Sequence, residues 1–288
     1  MYIFDHWKLL NQINMKHILV PTDFSTASNN AVNYAVSLAE IFNAKVTLLN
    51  IVPNTLIIDE EAAPATISMH QEHVAENKDL ITKEIEHLSK NNLAKIQGYV
   101  DEGDPSDVIL EMANKNKPDI IIMGMKGKGK SNSVFGSTVT AIVRKSSIPV
   151  LIIPENAFYQ SIDTITFATD FDAGTGSDSY SLLMDIAKKY NSFIRILNVQ
   201  KKGKPMSDNE FIGKMGTHYS FEAMKHSFNT IEDVNVIEGI NKFIEEKPCE
   251  ILVMIAHKHS FFERMLGKVH TKKMSYETKI PLLVLQNK

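Results

Sequence analysis

The sequence predicts an α/β protein made of two tandem units, each an open parallel five-stranded sheet flanked by helices. The first observation is an internal repeat: "HILVPTDFS", which opens His17–Val52, has a counterpart in "TITFATDFD", which opens Thr164–Val199. The ends of the two halves also match, since "DIIIMG…SSIPVLIIP" from Asp119 parallels "EILVMI…TKIPLLVLQ" from Glu250. Finally, short β-rich apolar runs alternate with amphipathic helical segments, which is typical of a parallel sheet with right-handed crossovers, covered on both faces.

The element order of the first unit follows from its hydrophobic periodicity. We expect strand 17–23, helix 26–42, strand 45–52, a loop, helix 70–90, strand 95–101, helix 105–116, strand 119–124, helix 136–146 and strand 149–153. Ser25 precedes the first helix as a cap, and Asp104 caps a helix that has Pro105 at its first position. The segment Pro53–Met69 is long and rich in Pro and Ala, so we expect a mobile loop there.

The repeat divides the chain into an N-terminal extension, 1–14, a first domain, 15–155, and a second domain, 160–288. The extension lacks the long apolar core of a signal peptide, and Met15 opens a stretch that resembles a natural start. Two interpretations stay open for it: an upstream extension, or a small docking helix anchored by Trp7 and Leu9.

Composition excludes several classes of function. A net charge of −3 over 288 residues gives no general basic field, which disfavours a dedicated nucleic-acid binder. There is no apolar run of 18 residues, so no membrane span is expected. The single cysteine, Cys249, rules out an intrachain disulfide framework and indicates a reducing compartment, which we take to be the cytoplasm.

The stretch "GMKGKGKSNSVFGST", 124–138, suggests a phosphate site and can be interpreted in three ways. Its first eight residues satisfy the Walker A pattern, but only one further strand follows in the unit, and that strand lacks the required magnesium-binding Asp. The second interpretation is a G-x-x-G turn followed by Gly136-Ser137-Thr138 at a helix start, where free N–H groups favour an anion. The third is a flexible, lysine-rich surface loop.

The second interpretation is strengthened by the position of the stretch. It follows the fourth strand of the unit, and "PTD" follows the first. In a doubly wound sheet, ligands bind at the carboxyl ends of strands where the strand order reverses. If these two strands are neighbours, Asp23 and the glycine loop face one crevice, where a carboxylate suits a ribose hydroxyl.

"VPTDFS", the glycine stretch with "IPVLIIP", and the two-copy layout resemble a tandem universal stress protein over nearly the whole chain after Met15. That resemblance implies Rossmann-like sheets of strand order 3-2-1-4-5, and ATP or AMP, with or without Mg, as a ligand in some members. Asp23 would meet ribose or adenine, and Ile51 would offer backbone groups to the adenine edge. The expected nucleotide-binding residues are Pro21, Thr22, Asp23, Ile51, Gly124, Lys126, Gly127, Gly136, Ser137 and Thr138.

Two departures from the family pattern matter. Eight residues separate Gly127 from Gly136 where nine are usual, which puts the geometry of a triphosphate in doubt. In the second half, Ile255 and Lys258 replace the two glycines of the turn, and Gly267 is not followed by Ser. Side chains there would occupy the space that phosphates need, so we expect the second half not to bind ATP in this manner.

No catalytic or metal-binding constellation emerges from the sequence. His70 and His73 are one helical turn apart, but without further ligands nearby they are interpreted as a solvated helix face. We therefore favour a stress-response protein whose nucleotide is a regulatory ligand. The alternatives are a slow ATPase or phosphotransferase and a nucleotide-free scaffold. Protein partners cannot be read from the sequence. The two halves are expected to pair through their last strands as an internal pseudo-dimer, and two chains could form a homodimer.

Overall fold

The strands and helices follow the predicted order. A computed structural model describes residues 15–54, 63–125, 135–200, 203, 205–256 and 279–287. The strands are β1 His17–Pro21, β2 Lys45–Val52, β3 Lys95–Glu102, β4 Ile120–Gly124, β5 Val150–Ile153, β6 Thr164–Ala168, β7 Phe193–Gln200, β8 His226–Glu232, β9 Ile251–Ala256 and β10 Leu282–Gln286. The helices are α1 Thr26–Phe42, α2 Ala63–Asn91, α3 Pro105–Asn116, α4 Ser137–Lys145, α5 Ser181–Tyr190, α6 Asp208–Phe221 and α7 Val236–Glu246.

All ten strands belong to one sheet, in the order β3-β2-β1-β4-β5-β10-β9-β6-β7-β8. Each half therefore has the predicted order 3-2-1-4-5, with parallel pairing throughout. The halves meet where β10 pairs antiparallel with β5, with Leu283 opposite Leu151. The predicted contact between the two last strands is thus present, and it merges the two sheets into one.

Helices cover both faces of this sheet, which explains the nearly uninterrupted apolar character of its central strands. Ile18 and Val20 pack into one core cluster, and Leu19 packs into the other on the opposite face. All three side chains are at most 1% exposed. Among the described residues, no helix combines the length and the apolar character needed to cross a bilayer.

The internal repeat extends to individual hydrogen bonds. Asn50 Nδ2 donates to the carbonyl of Thr22 at 2.9 Å, and Asn198 Nδ2 donates to the carbonyl of Thr169 at 2.8 Å. In each half, an amide at the end of the second strand thus fixes the residue that follows the first strand.

The segment between the halves is held by polar and aromatic contacts. Asn30 of α1 donates from Nδ2 to the carbonyls of Pro154 and Ala157, both at 2.9 Å. The hydroxyl of Tyr159 lies 2.6 Å from that of Tyr190 on α5. These contacts connect the first helix of each half through the linker.

The largest error in a predicted boundary is at the start of α2. Residues 63–69 of the expected loop Pro53–Met69 are helical, because α2 begins at Ala63 rather than at residue 70, and residues 55–62 lie outside the described residues. Pro64 lies in the first turn, where its missing N–H would have had no intrahelical partner, so it starts the helix instead of breaking it. The Asp104 cap and the helix 105–116 agree with the prediction.

Candidate functional site

A cavity of about 420 Å³ lies beyond the carboxyl ends of β1, β2 and β4. This is the position where the strand order of the first half reverses. Eight of the ten predicted residues line it: Pro21, Thr22, Asp23, Ile51, Gly124, Gly136, Ser137 and Thr138. The other two, Lys126 and Gly127, lie outside the described residues, as do Lys258 and Gly267.

The turn from β1 into α1 positions Asp23 at the cavity. Its Oδ1 accepts a hydrogen bond from the backbone N–H of Ser25 at 3.1 Å, and Ser25 caps α1 by accepting from the N–H of Ser28. Thr22 is buried, and its Oγ1 donates to Oγ of Ser28 at 3.2 Å. This network holds the half-buried carboxylate of Asp23 at the wall formed by the end of β1.

The backbone of Ile51 faces the same cavity, as a consequence of parallel pairing. Leu49 accepts from the N–H of Thr22 on the β1 side, whereas Val52 accepts from the N–H of Gly103 on the β3 side. Since backbone groups of successive residues point to opposite neighbours, those of Ile51 point to the β1 side. There β1 has already ended at Pro21, so they are directed at the cavity.

The opposite wall is the N-terminus of α4. Gly136 is its cap residue and has no side chain that could cap the helix. The first N–H groups of a helix have no intrahelical acceptor, so those of Ser137 and Thr138 at the cavity are available to an anion. Gly136 also donates from its N–H to the carbonyl of Met125 at 3.0 Å, which holds the helix start against the end of β4.

Gly124 has a structural role that the sequence did not reveal. A Cβ at this position would lie 2.7 Å from the carbonyl oxygen of Ala27 and 2.8 Å from its carbonyl carbon. The first turn of α1 therefore packs directly on the backbone of β4. Glycine is required here by this packing, whether or not a phosphate also approaches.

Several lining residues were not predicted. They are Ser28, Asn50, Val52, Pro53, His73, Asn77, Pro105, Ile109, Met123 and Val139. Most are apolar, and periodicity identifies such positions only as core. His73 is exposed and lies at the edge of the cavity. The interpretation of a solvated helix face is wrong for His70, whose side chain is 18% exposed and lies 2.7 Å from Glu102.

The second half differs at the position equivalent to Gly124. Strand register confirms the equivalence, because Gly124 lies opposite Ile153 on the last strand of its half and Ile255 lies opposite Leu285. The side chain of Ile255 is buried. In this half the helix after the first strand starts at Ser181, behind a 3₁₀ turn, rather than directly after the strand end.

The described lining of the cavity contains few ionisable side chains. Among the residues described here, its lining contains one carboxylate, Asp23, and one imidazole, His73. No group of three potential metal ligands occurs in the part of the chain that the structure describes. A helix N-terminus at one end and a strand-end carboxylate at the other suit a ligand with an anionic group and hydroxyl donors.

Comparison with known proteins agrees with the geometry. A family model described as the universal stress protein family matches residues 14–154. A universal stress protein from Methanocaldococcus jannaschii is 29% identical over 139 residues, which cover 48% of this chain and 81% of that protein. A solved universal stress protein from Archaeoglobus fulgidus covers 96% of this chain and 100% of its own at 18% identity, with a TM-score of 0.69. A universal stress protein solved in complex with cAMP covers 48% of this chain and 96% of its own at 24% identity, with a TM-score of 0.38.

Proposed function

Because the chain belongs to the universal stress protein family through residues 14–154, we propose that its first half binds an adenine nucleotide, ATP or AMP, as a regulatory ligand. One observation carries the proposal: a single cavity joins the carboxylate of Asp23 to the free N-terminus of α4. The resemblance of the sequence to nucleotide-binding members of the family gives that cavity its expected ligand.

Each wall has a proposed role. The N–H groups and hydroxyls of Ser137 and Thr138 would hold phosphate, helped by the positive end of the helix. Asp23 would accept hydrogen bonds from ribose hydroxyls. The backbone of Ile51 would meet the adenine edge. Any magnesium ion would arrive with a triphosphate as part of the ligand.

The remaining predicted residues have supporting roles in this proposal. Pro21 and Thr22 shape the ribose wall. Gly124 admits the first turn of α1 and keeps side-chain atoms out of the cavity. Lys126 and Gly127 would approach the phosphates from the segment that follows β4.

We assign the nucleotide a regulatory role rather than a catalytic one. Hydrolysis needs a group that positions or activates water, and usually a protein ligand for magnesium. In the described lining, Asp23 already accepts from Ser25 and is the one carboxylate. We propose that binding biases the conformation or the partner choice of a protein acting in the cytoplasm. Its single cysteine supports such a reducing compartment.

The two halves would then have different functions. We propose a nucleotide-binding domain at 15–155 and a second domain at 160–288 that does not bind ATP in the family's manner. Ile255 supports this difference between the halves. Its buried side chain lies at the position that Gly124 occupies in the first half.

A direct experiment tests nucleotide binding. Protein purified without added nucleotide is denatured, and released ATP, ADP and AMP are measured by mass spectrometry. Calorimetric titration with ATP follows, on wild type, Asp23→Asn and the matched control Asp170→Asn, which changes the repeat-equivalent residue. Asp23→Asn keeps an oxygen for the N–H of Ser25 but loses the charge, so we expect about tenfold weaker binding.

Wild-type affinity is expected in Asp170→Asn. If wild type releases no nucleotide and shows no binding heat, the proposal is refuted. Phosphate release measured on the same samples distinguishes the catalytic alternative, which requires turnover that is lost in Asp23→Asn.

A further inference from the structure

The wall of the cavity contributed by α2 contains polar residues where the helix pattern calls for apolar ones. Ile81 and Leu88 of α2 are buried against the sheet. Continuing the same face toward the helix N-terminus at intervals of four residues leads from Ile81 to Asn77 and His73. Both line the cavity. The inward face of α2 is thus apolar over the sheet and polar where the helix lies over the cavity.

Asn77 offers one hydrogen-bonding atom to a ligand. It is 7% exposed, and its Nδ2 donates to the carbonyl of His73 at 2.8 Å. Its Oδ1 accepts no hydrogen bond from the residues that the structure describes. The donor of this amide is therefore engaged within the helix, whereas its acceptor oxygen remains accessible. The cavity that it lines is where a donor can reach it.

The position of Asn77 in the sheet indicates which end of the ligand it meets. The anion site is the N-terminus of α4, a helix that packs on α3 and β5. The helix α2 packs on β2 and β3, on the other side of β1. Asn77 and His73 therefore lie at the end of the cavity away from the phosphates, near Val52 and Pro53.

We propose that Asn77 selects the base of the nucleotide by accepting a hydrogen bond from its exocyclic amino group, so that the cavity prefers adenine to a 6-oxopurine. This inference rests on the proposed nucleotide function. Adenine presents a donor at its 6-position, whereas guanine and hypoxanthine present an oxygen acceptor. Two acceptors facing each other in a buried site would leave Asn77 unpaired and repel the ligand.

The test compares three ligands on the full-length chain: ATP, purine riboside triphosphate, which lacks the amino group, and inosine triphosphate, which carries the oxygen. Calorimetry on wild type should show about fivefold to tenfold tighter binding of ATP than of the purine analogue, and weaker binding still of the inosine one. In Asn77→Leu, the preference for ATP over the purine analogue should decrease, and only the contribution of the Ile51 backbone should remain. Asn77→Asp retains the acceptor and should retain the preference for ATP.

A matched control separates this role from a structural one. Asn92 makes the same contact, from Nδ2 to the carbonyl of Leu88 at 2.8 Å, and does not line the cavity. Asn92→Leu should therefore keep the wild-type ratio between ATP and the purine analogue.

The outcomes are distinguishable. If wild type binds ATP but does not prefer it to the purine analogue, or if Asn77→Leu keeps the full preference, the role of Asn77 is refuted and the proposed function stands. Loss of the preference in Asn77→Asp also refutes it. If wild type binds none of the three ligands, the proposed function fails and the selection by Asn77 fails with it.

Discussion

Gly124→Ala separates two explanations for the first glycine of the motif. If the glycine exists only to admit a phosphate, the substitution leaves the ligand-free protein as stable as wild type. In the structure, the added Cβ would lie 2.7 Å from the carbonyl oxygen of Ala27, about 0.7 Å closer than the 3.4 Å at which ordinary contact begins. Its neighbour is backbone and not the end of a flexible side chain, so α1 itself must shift. Overpacking of this kind costs about 1–3 kcal/mol of unfolding free energy.

The assay is urea unfolding of nucleotide-free protein, followed by circular dichroism, with Gly216→Ala as the control. A Cβ at Gly216, on an exposed face of α6, meets nothing within 4 Å. There, alanine should stabilise the helix by roughly 0.5–1 kcal/mol. The reasoning is refuted if Gly124→Ala unfolds at the same urea concentration as wild type, or if the two variants shift in the same direction.

Two further predictions concern pH. The Ser106 hydroxyl and the N–H of Asp107 donate to Asp104 and lower its pKa, so the capping contribution is present above the ordinary carboxyl range and is lost as pH falls through the folded-state pKa. In chemical unfolding, Asp104→Ala should cost about 1 kcal/mol at pH 7, and this cost should decrease as the pH falls below the ordinary carboxyl range. A cost that does not change with pH would contradict this. Burial, and then the hydrogen bond shared with Tyr159, raise the pKa of Tyr190, so folding stability should be intact below about pH 10 and decline above it. Tyr190→Phe should lose about 1 kcal/mol of unfolding free energy at pH 7 and show a smaller alkaline decline in stability. Thermal unfolding at pH 7 and 10.5 measures both effects, and an unchanged decline would argue against Tyr190 as its source.

The fold could be predicted because its signals are local and repeated. Strands buried on both faces read as continuous apolar runs, and capping residues such as Ser25 and Asp104 mark helix starts. Repetition of the pattern in the second half then showed which stretch of the chain forms one structural unit. The start of α2 was misplaced because its local signal is misleading. A proline such as Pro64 indicates a loop unless it is known to lie in the first turn of a helix.

The site was predictable only where residues belong to a strand end or a helix start. Asp23 and Ser137 could be placed at one crevice because strand order brings β1 beside β4. Asn77 could not, because it lies within a long helix, where a single asparagine gives no periodic signal. Its importance arises from which side of α2 faces the cavity, and that is a tertiary property.

The two halves show how one strand position can determine the packing of the helix beside it. In the first half, Gly124 lets the helix after β1 start at Thr26 and lie directly on β4, so that Asp23 is held at the cavity. In the second half, Ile255 places a buried side chain at the equivalent position, and the corresponding helix starts only at Ser181. A glycine at 255 would remove that side chain but would not rebuild the strand-to-helix turn. The difference between the halves is therefore one of backbone course, and a single substitution would not convert one site into the other.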